Sequence, residues 1–187
     1  MSIKSRRFTL SLKVRRAVSN LNGEQSAIRR AVSTALNQTI RNDITPEEML
    51  WIERIESLRR ELNSSSEQIS IADYGAGSTD GTTDATIHQD RIVVRTVGKV
   101  CRRASKSYFW SLLLFKLIRE FEPSACLELG TCLGISASYE AAALKLNQHG
   151  TLVTLEGAES LASLAARSLA VLGLENVDLV IGKFQQT

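Results

Sequence analysis

Three short apolar runs, ACLEL at 125–129, TLVTLE at 151–156 and VDLVI at 177–181, constrain this chain more than anything else in it. Each has the length and composition of a strand buried on both faces. Between the first two, Ile135, Tyr139, Ala142, Ala143 and Leu146 share one helical face. Between the second and third, Leu161, Leu164, Ala165, Ser168 and Leu172 do the same, and Gly173 is placed to end that helix. Buried strands alternating with amphipathic helices point to a parallel sheet with crossover helices. The expected class is α/β: the βαβαβ half of a Rossmann-like, doubly wound parallel sheet, truncated after its third strand and preceded by helical N-terminal segments.

Three regions are expected along the chain: a basic leader over 1–42, flexible or partly helical; a helix plus a long loop over 43–104; and the partial Rossmann-like domain over 105–187. Within the leader, Ile28, Val32, Ala35, Leu36 and Ile40 make a weak helical stripe. Thr45-Pro46-Glu47-Glu48 reads as a helix start: Thr45 can cap, proline suits the first helical position, and Glu48 completes a capping box. That helix should reach about Leu62, with Trp51, Ile55, Leu58 and Leu62 on its apolar face. A further stripe, Trp110, Leu113, Leu114, Leu117, Ile118 and Phe121, predicts a helix that Pro123 stops.

Charge and composition narrow the partners. The formal net charge of +3 conceals an asymmetry, because residues 1–42 hold nine Lys/Arg against the single acid Glu24, a surplus of eight that leaves −5 for the remainder. An Arg- and Ser-rich leader nearly free of acids suits either an organelle transit peptide or a basic arm. Nucleic acid is not an expected partner, since Phe8 alone supplies no stacking platform. No apolar stretch approaches the roughly 18 residues of a membrane span, so no membrane partner is expected and the location is expected to be cytoplasmic. Cys101, Cys126 and Cys132 form neither an even disulfide framework nor a CxxC pair, which favours a reducing compartment. The two histidines, His88 and His149, stand apart from the cysteines, so no metal site is expected.

Two glycine-rich stretches compete for the role of cofactor turn: IADYGAGSTDG at 71–81 and CLELGTCLGIS at 126–136. Such a turn works by joining a buried strand to a helix whose first N–H groups face the ligand. The first stretch has only Ile69 and Ile71 as strand material ahead of it and the polar TTDATIHQD behind it, so it reads as a surface loop over about Asn63 to Asp90. The second has a strand before it and an amphipathic helix after it. Gly130 lets the chain turn sharply at the strand end, and Gly134 admits a ligand to the helix start with no Cβ in the way. Glu128 is costly inside an apolar strand unless its carboxylate is used. Glu156 ends the next strand, where a ribose would place its two hydroxyls.

The run LELGTCLGIS, with TLVTLEGAESLASLAARSLAVLGLENVDLVIGKFQQT after it, resembles the first half of a class I S-adenosylmethionine-dependent methyltransferase, most nearly the bacterial O-methyltransferase-like proteins. The resemblance covers about residues 105 to 187. It implies S-adenosylmethionine as cofactor and a small-molecule methyl acceptor. It also implies that Glu128, Gly130, Thr131, Cys132 and Gly134 surround the methionine portion, that Glu156 holds the ribose hydroxyls, and that Gly157 and Ala158 lie beside the adenine. The turn Gly182-Lys183-Phe184 would face the adenine edge, where the family more often has an acid or amide than a lysine. Some bacterial members carry a DxGAGS stretch similar to Asp73 to Ser78. Tyr108, Phe109 and Trp110 precede the core, and packing outweighs a place at the cofactor mouth for them.

The family's complete sheet has seven strands, and its substrate pocket and catalytic base belong to the part that would follow VDLVI. No catalytic residue is therefore assigned. The first strand would have an open edge, to be met by a second copy of the chain, by another chain completing the sheet, or by an upstream segment such as DRIVVRTV at 90–97. Two functions follow. One is methyl transfer from a sulfonium to an oxygen of a small molecule, with the truncated chain inactive if the absent half is required. The alternative is a noncatalytic adenosine-ligand or partner-binding module that dimerises through the open edge. A nicotinamide dehydrogenase is weaker, because the central glycine of its fingerprint is missing.

Overall fold

The computed structural model describes residues 27–73 and 91–182. In chain order the elements are α1 (Ala27–Arg41), α2 (Pro46–Ser64), β1 (Gln68–Asp73), β2 (Arg91–Thr96), α3 (Val97–Ala104), α4 (Tyr108–Phe121), β3 (Ala125–Leu129), α5 (Ile135–Leu146), β4 (Thr151–Glu156), α6 (Glu159–Leu172) and β5 (Val177–Ile181). Strands β3, β4 and β5 form a parallel sheet in that order, with Glu128 opposite Thr154 and Leu155 opposite Val180. The fold is α/β, and this sheet with α5 and α6 is the βαβαβ unit read from the sequence.

The crossover helices share one face of the sheet. Leu152 of β4 is wholly buried in a cluster with Tyr139 and Leu144 of α5 and Leu169 and Leu172 of α6, and Cys126 and Val177 pack against it. The opposite face is different: Leu127 and Leu129 of β3 are 67% and 61% exposed. Burial of the first strand on both faces is thus not what the described residues show, because both crossovers of strands added in one direction must return on the same side.

The helical layer is fastened by charge as well as by apolar contact. Thr45 Oγ1 accepts from the Glu48 N–H at 3.3 Å, and Glu48 Oε2 accepts from the Thr45 N–H at 2.9 Å, completing the capping box of α2. The same carboxylate receives Lys116 Nζ of α4 at 2.6 Å, with both side chains buried. On α2, Ile52 joins Ile55 and Leu58 in the core, while the partly buried Trp51 has the cations of Arg54 and Lys145 over its ring. Those two cations also donate to the carbonyls of Leu172 and Gly173, satisfying the end of α6.

Three expectations are corrected. Residues 68–73 are not loop: β1 pairs antiparallel with β2, Ile69 opposite Arg95, because Ile69 and Ile71 face α3 and α6 while Gln68 and Ser70 face outward. For the same reason residues 91–96 do not complete the parallel sheet, since their hydrogen bonds go to β1. The α4 stripe is shifted in part: Leu113 and Ile118 are buried as expected, but Leu112 and Phe115 beside them are buried too, whereas Trp110 and Phe121 are 56% and 43% exposed. Residues 74–81 of the first glycine stretch lie outside the described residues.

Candidate functional site

At the carboxyl end of β3 the chain makes a tight turn whose alternate residues have left-handed backbone: Gly130 at φ 93°, Cys132 at 53° and Gly134 at 80°. Gly130 N and Thr131 N both donate to Leu155 O, at 2.9 and 3.1 Å, tying the turn to the end of β4. Gly134 then caps α5 with no side chain over the helix start. A Cβ on Gly130 would meet nothing within 4 Å, but one on Gly134 would lie 3.3 Å from Ala165 Cα of α6. Gly134 is thus needed for the close packing of the turn against α6.

The two strand-end acids are joined through this turn. Glu156, 8% exposed, accepts from Cys132 N at 2.8 Å through Oε2 and from Ala158 N at 3.0 Å through Oε1. Its carboxylate has about four acceptor positions, so two remain beyond those bonds. Glu128 Oε2 accepts from Thr154 Oγ1 at 2.6 Å, and since that hydroxyl proton is committed, Thr131 Oγ1, also 2.6 Å away, is the donor to Thr154. Burial lifts the Glu128 carboxyl above its ordinary value; hydrogen bonds from Ser136 and Thr154 and the charge of Lys106 oppose the lift, and Glu156 adds to it.

A cavity of about 160 Å³ opens beside the turn. Glu128, Gly130, Thr131 and Cys132 line it, together with Lys106 and Glu140. Gly134, Glu156, Gly157 and Ala158 are not in its wall, and Lys183 and Phe184 lie outside the described residues. The volume is below the roughly 300 Å³ of a pocket for a whole drug-sized ligand, so it suits an amino-acid-sized end of one. Tyr108, Phe109 and Trp110 do not reach it: Tyr108 donates to Asn42 Oδ1 at 2.9 Å, and Phe109 and Trp110 meet edge to face. Another hollow, of about 380 Å³ beside β5, contains none of the turn.

Sequence reading missed Lys106, Ser136 and Glu140. Ser136 and Glu140 are one helical turn apart, and an acid within SASYEAAAL was the available signal. Lys106 falls between helices and had none. Nucleophilic sulfur chemistry is disfavoured, because burial, with Glu156 next, pushes the Cys132 thiol up to about 12, and burial raises that of Cys126 as well. Among the described residues no three His, Cys, Asp or Glu gather as a metal would require, and no helix is long and apolar enough to cross a membrane.

Fold and turn together define a class, a Rossmann-like α/β unit with a glycine turn and a cavity at the carboxyl end of β3. No protein-family model and no curated protein matches the chain. Among solved structures it is similar to a putative O-methyltransferase from Klebsiella pneumoniae, at 28% identity and TM-score 0.42 over 45% of this chain and 38% of that one. It is also similar to the O-methyltransferase TomG from Streptomyces achromogenes, involved in tomaymycin synthesis and solved in complex with SAM, at 34% identity and TM-score 0.41 over 44% and 36%. The chain thus spans well under half the length of either.

Proposed function

We propose that this chain carries the cofactor-binding part of an S-adenosylmethionine-dependent methyltransferase acting on an oxygen of a small molecule. The observation that carries the reading is the turn itself: Gly130 to Gly134 links Glu128, in a cavity wall, to Glu156 at the end of the neighbouring strand. Glu128, Thr131 and Cys132 would hold the methionine end of the cofactor, and Gly130 leaves the strand end open to it. Glu156 would take the ribose hydroxyls on the acceptor positions that Cys132 N and Ala158 N leave unused. The cofactor, when bound, supplies an electrophilic methyl group; the chain's contribution is to orient it and to shield it from water.

The exposed Leu127 and Leu129 favour a second reading, a noncatalytic adenosine-ligand or partner-binding module that associates through β3. Calorimetric titration with S-adenosylhomocysteine tests the first. The native chain should bind, and Glu156→Ala should bind at least about tenfold more weakly, as for loss of charged hydrogen bonds of roughly 1.5 to 3 kcal/mol. A native chain that is folded by circular dichroism and does not bind refutes the cofactor reading and leaves the second.

A further inference from the structure

Glu140 projects from α5 into the cavity wall, yet it is only 8% exposed. Its neighbour Glu128 has hydroxyl donors in Thr154 and Ser136. Among the described residues, none makes a hydrogen bond or an ion pair within 4.0 Å to the Glu140 carboxyl. Its oxygens are not among the fully buried polar atoms left without a partner, so with no protein partner among the described residues they face the open space of the cavity, where a ligand can reach them. The charged and titratable groups around it are Glu128 and Cys126 on β3 and Lys106 between α3 and α4, with Glu156 of β4 beyond Glu128. Lys106 is exposed and forms no ion pair with either carboxyl, so the chain's own cation does not fill the space.

We propose that Glu140 is a binding residue of this cavity, closing with Glu128 on a single organic ammonium group. Three N–H donors on a compact cation match two carboxyls and a volume of about 160 Å³. Two carboxyls fall short of the six to eight oxygens that a calcium ion gathers. The inference rests on the reading above for what carries the ammonium, which is either the amino-acid end of the cofactor or a separate amine. It has a signature that a merely structural carboxyl lacks. Burial, with the charge of Glu128 next, pushes the Glu140 carboxyl up to about 8, against the opposing charge of Lys106. Without ligand it is mostly protonated at neutral pH; a bound ammonium favours the ionised form, so binding releases a proton and strengthens as pH rises toward 8.

The test is a carboxyl-carbon NMR titration of the full chain, with the Glu140 signal assigned through Glu140→Gln. The probes are S-adenosylhomocysteine, which carries an α-ammonium; 5′-methylthioadenosine, which keeps the nucleoside and lacks it; and butylammonium. The expected result is that S-adenosylhomocysteine lowers the Glu140 midpoint by about one pH unit or more, a tenfold change in proton affinity, while 5′-methylthioadenosine leaves it in place. If S-adenosylhomocysteine does not bind but butylammonium lowers the midpoint, the carboxyl pair serves a separate amine and the cofactor reading falls. If S-adenosylhomocysteine binds and the midpoint stays, the cofactor reading stands and the role of Glu140 is overturned. A midpoint that none of the probes moves also overturns it.

Discussion

Replacing each turn glycine by alanine should separate ligand contact from packing. Both positions have positive φ, 93° and 80°, so each alanine incurs a left-handed backbone cost of about 1–2 kcal/mol. At Gly130 that is the whole cost, since the new Cβ meets nothing within 4 Å. At Gly134 the Cβ would stand 3.3 Å from Ala165 Cα and 3.4 Å from Ala165 O. These are atoms of a helix backbone that cannot swing aside, and overpacking of this kind adds about 1–3 kcal/mol. Urea unfolding should therefore show Gly134→Ala destabilised by about 2–5 kcal/mol and Gly130→Ala by about 1–2. Affinity for S-adenosylhomocysteine should run the other way, because Gly130 lines the cavity and Gly134 does not. Gly130→Ala should weaken binding about tenfold, or 1.4 kcal/mol, at the smaller cost in stability. A Gly130→Ala chain less stable than Gly134→Ala, or one that binds as tightly as native, refutes the assignment of roles.

Two further predictions concern the scaffold. Glu48→Ala leaves Lys116 buried without its partner and should cost about 3–5 kcal/mol in urea unfolding, while adding Lys116→Met should recover most of it; additive losses would show that the pair is not coupled. His149 bridges two carbonyls, Glu122 O at 2.9 Å and Asn147 O at 3.1 Å, and only the cation can donate to both. Hydrogen bonding to Glu122 first, then Asn147, raises its pKa, so its stabilisation is complete below the unfolded value of about 6.5 and is lost as pH rises through the folded value. His149→Gln should lose less stability than native between pH 5.5 and 8.5, and equal losses would remove the role.

What was legible in the sequence is what short-range pattern controls. The three apolar runs, the faces of α5 and α6 and the Thr45–Glu48 box each depend on residues within a few positions of one another, and all formed the elements expected, although β3 is not buried on both faces. β1 was missed because two isoleucines in QISIAD are too weak an alternation to declare a strand, and its hydrogen-bonding partner begins only at Arg91. The burial of Leu112 and Phe115 could not be read, because they join a core with Ile52 and Ile55 of α2 and Tyr139 of α5, which lie far from them in sequence. The same applies at the site. Glycines 130 and 134 mark the turn, but only the position of Ala165 shows that one of them serves packing. Glu140 sits in a run of alanines whose burial hides the acid's own environment.

The turn is held from within by Leu133, fully buried among Ile69 of β1, Val97, Val100 and Cys101 of α3, and Leu161 and Leu164 of α6. Its outer hydrogen bonds go to β4, a near neighbour in sequence, but its interior is filled from far upstream. Such distant contacts form late, after the entropy of closing the long intervening segment has been overcome. The cavity wall at Ala104–Lys106 follows α3 and so depends on the docking of β1 and β2 with it. A ligand gripping the turn would then act as a clasp between two pieces of chain, stabilising the docking of β1 and β2 without touching either.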